Sequence, residues 1–387
     1  RQALGSTYGK ALSNATLSGG NASVAGTFAY ASPKTVPSEG TTSQAVIFTP
    51  SNGANYTTVS ANVSVTVGKT TPTIKVVPRA LAIKYGQTLS NATLSGGSAS
   101  VAGTFAFTSP EMVPDVGGAT QSVTFTPTDS ANYNTVSANV SVTVSKAVPV
   151  VTWSNPVAIT YGAALSGTQL NASASVNGTF NYTPISGSVL SAGNQTLSAV
   201  FTPSDVVNYS TVNKSVALTV SKATPTINVA PTALGITYGK ALSNATLSGG
   251  NASVAGTFAY ASPTTVPSAG TTNQAVTFTP TDSGNYTTAS ANVSVTVSKA
   301  AAVLTWNNPT SITYGTALSG TQLNAVASVN GTFSYTPVSG TVLGAGNQTL
   351  SVVFTPSDVA NYNTVNRSLT LAVGKSCLLY TSDAADE

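Results

Sequence analysis

The sequence has no histidine, a single cysteine and very little charge. Only 6% of its 387 residues are charged, whereas soluble domains usually carry about 25%. Histidine is the commonest general base and a frequent zinc ligand, so its absence argues against the usual hydrolytic triads and zinc sites. No run approaches 18 consecutive apolar residues, so we expect no membrane span in this fragment. We therefore expect a protein that is not an enzyme and that has no cofactor.

What the sequence has instead is abundant Ser, Thr and Asn, together with Val, Tyr and Phe, which favour β-strands. The net charge of +4 is dispersed, and no run of basic residues or interleaved aromatic patch is present. This pattern predicts no nucleic-acid partner. The slight excess of basic residues reflects the scarcity of charged residues and does not indicate a positively charged binding surface.

The two ends of the chain differ from its interior. Residues 377–387, beginning at Cys377, share nothing with the preceding sequence and resemble the conceptual translation of a sequencing adapter. We interpret 376–387 as an artefactual tail, with a natural acidic tail as the alternative. Without it the chain is free of cysteine and carries 14 basic and 7 acidic residues over 1–376. Residues 2–9 align with 232–239, which predicts that the chain begins inside a repeat.

One unit recurs five times. A Tyr-Gly pair, a Phe-Thr-Pro run, an Asn-Tyr pair and a closing Lys all repeat at spacings of 76 or 77 residues. The closing lysines are Lys69, Lys146, Lys222, Lys299 and Lys375. These markers predict five repeats at 1–69 (truncated at its N-terminus), 70–146, 147–222, 223–299 and 300–375.

The repeats fall into two subtypes. Repeats three and five carry a tryptophan near the start, Trp153 and Trp306, whereas the other three carry the run Leu-Ser-Asn-Ala-Thr-Leu-Ser-Gly-Gly. We expect each tryptophan to pack between the first strand and the neighbouring repeat. The alternative is a sugar-stacking platform, which would make Trp153 and Trp306 carbohydrate contacts.

Within a repeat, several short runs alternate apolar and polar residues with period two. In repeat two these runs include 80–85, 121–126 and 139–144, and Gly and Pro punctuate them at the intervals expected of turns. Period two in short runs predicts half-buried antiparallel strands, about seven in each repeat. The fold class is therefore all-β, as a tandem array of five small immunoglobulin-like antiparallel β-sandwiches. Prolines at the joints predict short, stiff connections.

The clearest local motif is an Asp four residues before a Tyr, between two predicted strands. This spacing is similar to the tyrosine corner of immunoglobulin-like sandwiches, in which the phenol bonds to upstream backbone. We read the aspartates as corner caps, with calcium binding as the alternative, although each turn offers few of the oxygens that calcium needs. The motif comprises Asp129 and Tyr133, Asp205 and Tyr209, Asp282 and Tyr286, and Asp358 and Tyr362, with Tyr56 in repeat one, where Asn52 replaces the Asp.

The ordered motifs Ile-Thr-Tyr-Gly-x-x-Leu-Ser, Gly-Thr-Phe, Phe-Thr-Pro-Ser-Asp-x-x-Asn-Tyr and Val-Ser-Lys resemble the bacterial immunoglobulin-like repeats of the MBG type, in their Tyr-Gly-x variant. The resemblance covers residues 1–375. It implies sandwich modules in arrays on large secreted or surface-attached bacterial proteins, and it brings no catalytic residues.

These observations predict a non-catalytic stalk or spacer of an adhesin-like protein, located outside the bacterial cell or on its surface. Its expected partners are the neighbouring repeats of the same chain. The alternative is an array that binds extracellular polysaccharide or a host or cell surface through the tryptophan-bearing repeats.

Overall fold

The computed structural model describes residues 2, 3 and 5–377. The predicted artefactual tail, apart from Ser376 and Cys377, lies outside the described residues. The chain divides into two compact units, and the division passes through the third predicted repeat. The first unit comprises Arg1–Pro156, Gly167–Ser186 and Thr196–Val216, and the second comprises Val157–Ser166, Gly187–Gln195 and Ala217–Glu387.

In the first unit, repeat one contains six strands: β1 (Gln2–Ala3), β2 (Ser6–Thr7), β3 (Leu17–Ser18), β4 (Gly26–Tyr30), β5 (Gly40–Pro50) and β6 (Val59–Gly68). Repeat two contains eight strands: β7 (Ile74–Val76), β8 (Arg79–Ala80), β9 (Ile83–Lys84), β10 (Leu94–Ser95), β11 (Ser98–Ala99), β12 (Gly103–Phe107), β13 (Gly117–Pro127) and β14 (Val136–Ser145). Single 3₁₀ turns span Leu12–Asn14 and Leu89–Asn91.

Repeat three contributes β15 (Val151–Thr152), β16 (Ile159–Thr160), β17 (Ser173–Ala174), β18 (Gly178–Thr183), β19 (Gly193–Pro203) and β20 (Val212–Ser221). Repeat four contains β21 (Ile227–Val229), β22 (Thr232–Ala233), β23 (Ile236–Thr237), β24 (Leu247–Ser248), β25 (Asn251–Ala252), β26 (Gly256–Tyr260), β27 (Gly270–Pro280) and β28 (Ala289–Ser298), with a 3₁₀ turn at Leu242–Asn244. Repeat five contains β29 (Ala300–Ala301), β30 (Leu304–Thr305), β31 (Ile312–Thr313), β32 (Val326–Ala327), β33 (Gly331–Thr336), β34 (Gly346–Pro356), β35 (Tyr362–Asn363) and β36 (Val365–Gly374).

Each repeat is built on a long hairpin. In repeat two, β13 pairs antiparallel with β14, β12 flanks β13, and β9 lies beside β14, which gives the sheet order β12-β13-β14-β9. Strands of two or three residues form small separate sheets, β8 with β10 and β7 with β11. The described chain contains five four-stranded sheets in tandem, so the all-β, tandem fold class is confirmed.

One pair in each four-stranded sheet is not antiparallel. Strand β9 runs parallel to β14, with Ile83 opposite Val144, and β2, β16, β23 and β31 make the same parallel contact in the other repeats. The expected single strand over 80–85 is therefore wrong, because this run divides between β8 and β9, which belong to different sheets. Parallel neighbours need a long connection, and the rest of the repeat supplies it.

The core lies between the long hairpin and the short sheets. In β13 the inward residues Val123 and Phe125 are 0% and 1% exposed, whereas Thr126 on the other face is exposed. This is the predicted alternation, and burial of the Val, Phe and Leu side chains is the main favourable contribution to folding. Gly103 begins β12 where an added Cβ would lie 2.4 Å from the backbone oxygen of Thr126, so no larger residue fits there.

Candidate functional site: the junction between repeats

The Asp-x-x-Asn-Tyr segment forms a tight turn before the last long strand. In repeat two, the Asp129 carboxylate accepts hydrogen bonds from the backbone N–H of Asn132 at 3.2 Å and from its side-chain amide at 2.8 Å. The backbone N–H of Tyr133 donates to the carbonyl of Asp129 at 3.2 Å. The same two carboxylate contacts recur in repeats three, four and five. Each aspartate thus fixes the orientation of the asparagine side chain.

In repeat three, these hydrogen bonds lower the pKa of the aspartate. The side-chain amide of Asn208, followed by its backbone N–H, holds the pKa of Asp205 below its ordinary value, because both groups donate to the ionised form. The turn of repeat three is therefore organised around an ionised Asp205 at neutral pH.

The tyrosine of the turn packs against the tyrosine of the Tyr-Gly pair in the preceding repeat. The two rings meet edge to face, with centroids 5.3 to 5.5 Å apart. The pairs are Tyr8 with Tyr133 and Tyr85 with Tyr209 in the first unit, and Tyr161 with Tyr286 and Tyr238 with Tyr362 in the second.

The assignment of Tyr133, Tyr209, Tyr286 and Tyr362 to a tyrosine corner stays a prediction. Their rings contact another repeat, so the sequence motif lies at a junction between repeats.

The asparagine of the turn joins the same contact. Its side-chain oxygen accepts a hydrogen bond from a backbone N–H of the preceding repeat at 2.7 to 3.1 Å. The donors are Glu39 to Asn132, Val116 to Asn208, Ala192 to Asn285 and Ala269 to Asn361.

Its backbone carbonyl accepts from the first residue of the connecting segment, which is Thr70 in repeat two, at 3.0 Å. All four hydrogen-bonding groups of Asn132 are therefore used. An aspartate there would lack the amide donor.

The closing lysine provides the third contact. Lys69 and its equivalents Lys146, Lys222 and Lys299 donate from Nζ to a backbone carbonyl of the next repeat's turn at 2.5 to 2.7 Å. Each lysine therefore caps the turn that the tyrosine and the asparagine also use.

Two tyrosines of these motifs have no tyrosine of another repeat packed against them among the described residues. Tyr56, in the turn of repeat one, is 50% exposed, and Tyr314, in the Tyr-Gly pair of repeat five, is 54% exposed. Their equivalents within junctions are all partly buried. We therefore attribute the partial burial of the paired tyrosine rings to the contact between repeats.

Neither tryptophan lies at a junction. Trp153 and Trp306 are 5% and 1% exposed, and each indole N–H donates at 3.0 Å to a backbone carbonyl of its own repeat, that of Gln169 or Gln322. Trp306 belongs to the core cluster of repeat five. The expected packing against a neighbouring repeat is wrong, because the core of the same repeat encloses the ring. A buried ring also presents no face on which a sugar could stack.

Other sites are scarce in the described part of the chain. No group of three or more His, Cys, Asp or Glu residues there could hold a metal ion. No described helix has the length and apolar character needed to cross a membrane.

The junction could not be recognised from the sequence, in which the Tyr-Gly pair and the closing Lys served only as markers of the repeat and the Asn-Tyr pair was interpreted as part of a turn within its own sandwich. Their recurrence in all five repeats was the available signal. It could not show that the tyrosines of two different motifs, about 125 residues apart, meet across a boundary.

No protein-family profile and no curated protein match the sequence. Among solved structures, a five-domain immunoglobulin fragment of Sidekick-1 aligns with 87% of this chain and 86% of its own, at 9% identity and a TM-score of 0.26. Drosophila N-cadherin EC1-4 aligns with 97% of this chain and 99% of its own, at 12% identity and a TM-score of 0.22. A three-immunoglobulin-domain fragment of titin covers 58% of this chain and 98% of its own, at 10% identity and a TM-score of 0.26. All three are tandem arrays of β-domains, but at these scores the fold assignment rests on this chain's own sheets.

Proposed function

We propose that the chain is a non-catalytic spacer, built of five MBG-type immunoglobulin-like repeats, within a large secreted or cell-surface bacterial protein of the adhesin kind. The boundaries proposed for the repeats are those of the sequence periodicity. The observation that carries the proposal is the junction, which recurs four times with the same tyrosine pair, asparagine and lysine. In this proposal the principal partner of each repeat is the next repeat of the same chain.

A spacer must resist bending between successive modules. An edge-to-face aromatic pair contributes about 0.5–1.5 kcal/mol, and a single hydrogen bond contributes about 0.5–1.5 kcal/mol net. Each junction combines one such pair with hydrogen bonds from the lysine and to the asparagine. These contacts favour a closed junction over one in which two repeats swing freely on a tether, and they support a mechanical function.

The proposal is tested by small-angle scattering of the full chain and of a variant in which Asn132, Asn208, Asn285 and Asn361 are all replaced by alanine. Five sandwiches of about 30–40 Å each predict a maximum dimension of roughly 150–200 Å for the native chain. The variant should show a broader distribution of distances, because each junction loses its side-chain bond.

The matched control is Asn55→Ala, which changes the same turn in repeat one, where the described residues include no preceding repeat. It should leave the scattering unchanged. A compact native profile, or a quadruple variant indistinguishable from the native chain, would contradict the spacer.

A further inference from the structure

The turn of repeat one differs in sequence from the four other turns that carry the Asn-Tyr pair. Repeats two to five begin this turn with aspartate, whereas repeat one begins it with Asn52, and the next residue is Gly53. The second residues of the other turns are Ser130, Val206, Ser283 and Val359. An asparagine followed by glycine is especially prone to lose its side-chain amide, because the glycine backbone is free to bend toward the amide carbon. Repeat one therefore has, in place of the aspartate, a residue from which an aspartate can form.

The side chain of Asn52 is not held in place. In repeat two the carboxylate of Asp129 accepts two hydrogen bonds from Asn132. In repeat one the backbone N–H groups of Asn55 and Tyr56 donate instead to the main-chain carbonyl of Asn52, at 3.3 and 3.2 Å. The Asn52 side chain is exposed, and no described residue forms a hydrogen bond with it. Its amide carbon can therefore turn toward the backbone without losing a contact.

The backbone nitrogen of Gly53 is equally accessible. Gly53 is exposed, and its N–H has no acceptor among the described residues. In a complete junction the closing lysine contacts the carbonyl at this position and not the N–H, as Lys69 does at Ser130. Asp129 and Asp282 are exposed although each lies in a complete junction. The access to this pair of residues therefore does not depend on whether another repeat precedes the turn.

We propose that Asn52-Gly53 is a self-modification site, at which Asn52 deamidates to the aspartate that begins the other turns. The Gly53 backbone nitrogen gives its proton to a base in the solvent and forms a bond to the side-chain amide carbon of Asn52. The bond from that carbon to the amide nitrogen breaks, and the nitrogen takes up a proton and leaves as ammonia. Water then opens the cyclic imide. Cleavage at the side-chain carbon gives aspartate, and cleavage at the main-chain carbon gives isoaspartate.

The aspartate product restores the arrangement of the other turns. A carboxylate at position 52 accepts hydrogen bonds from the backbone N–H and the side-chain amide of Asn55, as Asp129 does from Asn132. Hydrogen bonds to an ionised acceptor are stronger than those between neutral groups. The modification thus fixes the orientation of the Asn55 side chain, whose counterparts contact the preceding repeat in the four junctions.

The chain contains two other pairs of this kind, and both are held in strands. They are Asn177-Gly178 and Asn330-Gly331. Each glycine begins an edge strand, β18 or β33, where an added Cβ would meet the ring of Phe201 or Phe354. Each asparagine carbonyl accepts a hydrogen bond at 2.9 Å from a backbone N–H just beyond the facing strand. Closing the imide ring requires both residues to rotate, which the strand pairing opposes.

The test is peptide mapping by mass spectrometry of the full chain, sampled during incubation at constant neutral pH. Deamidation is detected by the mass difference between an amide and an acid, and fragmentation distinguishes aspartate from isoaspartate. The peptide with Asn52 should deamidate at least about tenfold faster than those with Asn177 and Asn330, since the paired strands must open before they react.

A variant of Gly53 tests the role of the glycine. Gly53→Val introduces the residue that repeats three and five have at this position, and it should slow deamidation at least about tenfold, because only glycine leaves the backbone this freedom. An added Cβ there would meet no atom within 4 Å, and the φ angle of Gly53 is not positive, so the turn accepts a side chain. Amide proton spectra check that repeat one keeps its fold.

Two variants of Asn52 test the product. Asn52→Asp should slow hydrogen exchange of the Asn55 N–H at least about twofold relative to Asn52→Ala, because only the former supplies a charged acceptor.

The proposal fails if the three asparagines deamidate at the same rate, if Gly53→Val reacts as fast as the native chain, or if isoaspartate is the sole product. It also fails if exchange at Asn55 is no slower in Asn52→Asp than in Asn52→Ala.

Discussion

Repeats one and four have the same sequence from Thr7 to Pro33 and from Thr237 to Pro263, yet the two segments do not form the same structure. Asn251–Ala252 is strand β25, paired with β21, whereas Asn21 and Ala22 lie in no strand. A β-strand needs a partner for its backbone groups, and only repeat four has that partner in the described residues. The difference shows that strand formation here is decided by the neighbour and not by the local sequence.

The difference extends into the core. Phe278 of repeat four is 2% exposed, and the corresponding Phe48 of repeat one is 8% exposed. Each ring packs against a second phenylalanine, Phe258 or Phe28, at 5.0 and 4.7 Å between centroids. The same ring is therefore enclosed to different degrees in the two repeats.

The largest expected effect concerns these two rings. Phe278→Ala should lower the free energy of unfolding of repeat four by about 3–5 kcal/mol, because it leaves a cavity where a ring only 2% exposed was packed. Phe48→Ala should cost repeat one less, since its ring is already 8% exposed. Hydrogen exchange read by mass spectrometry resolves the two repeats within the full chain. Equal losses in both would show that this difference in ring exposure does not affect the stability of the core.

A second comparison uses the tyrosines of the turns. Tyr286→Ala removes an edge-to-face contact with Tyr161 and should destabilise the junction by about 1–2 kcal/mol. Tyr56→Ala changes a half-exposed ring with no such contact and should alter stability by less than about 0.5 kcal/mol. Hydrogen exchange of the segment 281–290 against 51–60 measures both. A large loss for Tyr56→Ala would mean that the ring braces its own sandwich, as a tyrosine corner does.

The smallest expected effect should be the same in repeats one and four. The phenol oxygens of Tyr30 and Tyr260 are buried, with no hydrogen-bond partner in the described residues. Tyr30→Phe and Tyr260→Phe should each be neutral or stabilise their repeat by up to about 1 kcal/mol, because they remove an unsatisfied polar group. Repeat two already has Phe107 at this position. Denaturant unfolding monitored by hydrogen exchange would reveal any loss, which would indicate a hydrogen bond to the phenol.

The same two tyrosines predict a response to alkaline pH. Burial raises the pKa of Tyr30 and of Tyr260, because the charged phenolate is disfavoured away from water. The difference between the folded and unfolded pKa values therefore contributes stability that is fully present below the unfolded pKa of about 10 and is lost as the pH rises through the higher folded value. Repeats one and four should lose more stability above pH 10 than their phenylalanine variants do, as measured by exchange-resolved unfolding.

Much of the fold followed from the sequence. The period-two runs at 121–126 and 139–144 lie within β13 and β14, because alternation of apolar and polar residues suits a sheet with one buried face. The run at 80–85 was misassigned, since its two halves pair with different partners and no local pattern shows which. The parallel edge strand was missed for the same reason.

The candidate site was harder to predict from the sequence. The Asp-x-x-Asn-Tyr motif was correctly recognised as a turn, but its tyrosine was assigned to its own sandwich, whereas the ring contacts another repeat. The tryptophans illustrate the opposite error. Trp153 and Trp306 were expected at a boundary, and the structure places them in the cores of their own repeats, where Gln169 and Gln322 accept their N–H groups.

The sequence by itself determined the five repeats, their two subtypes, the strands of the long hairpins and the turn that precedes the last strand, because all of these depend on local pattern and on periodicity. Only the tertiary structure decided that Tyr8 meets Tyr133, that the lysines cap the next turn, and that Asn21–Ala22 is left without the strand that pairs with its counterpart in repeat four. Contacts across a boundary depend on where distant segments come together, and identical residues adopt different structures when the partner differs.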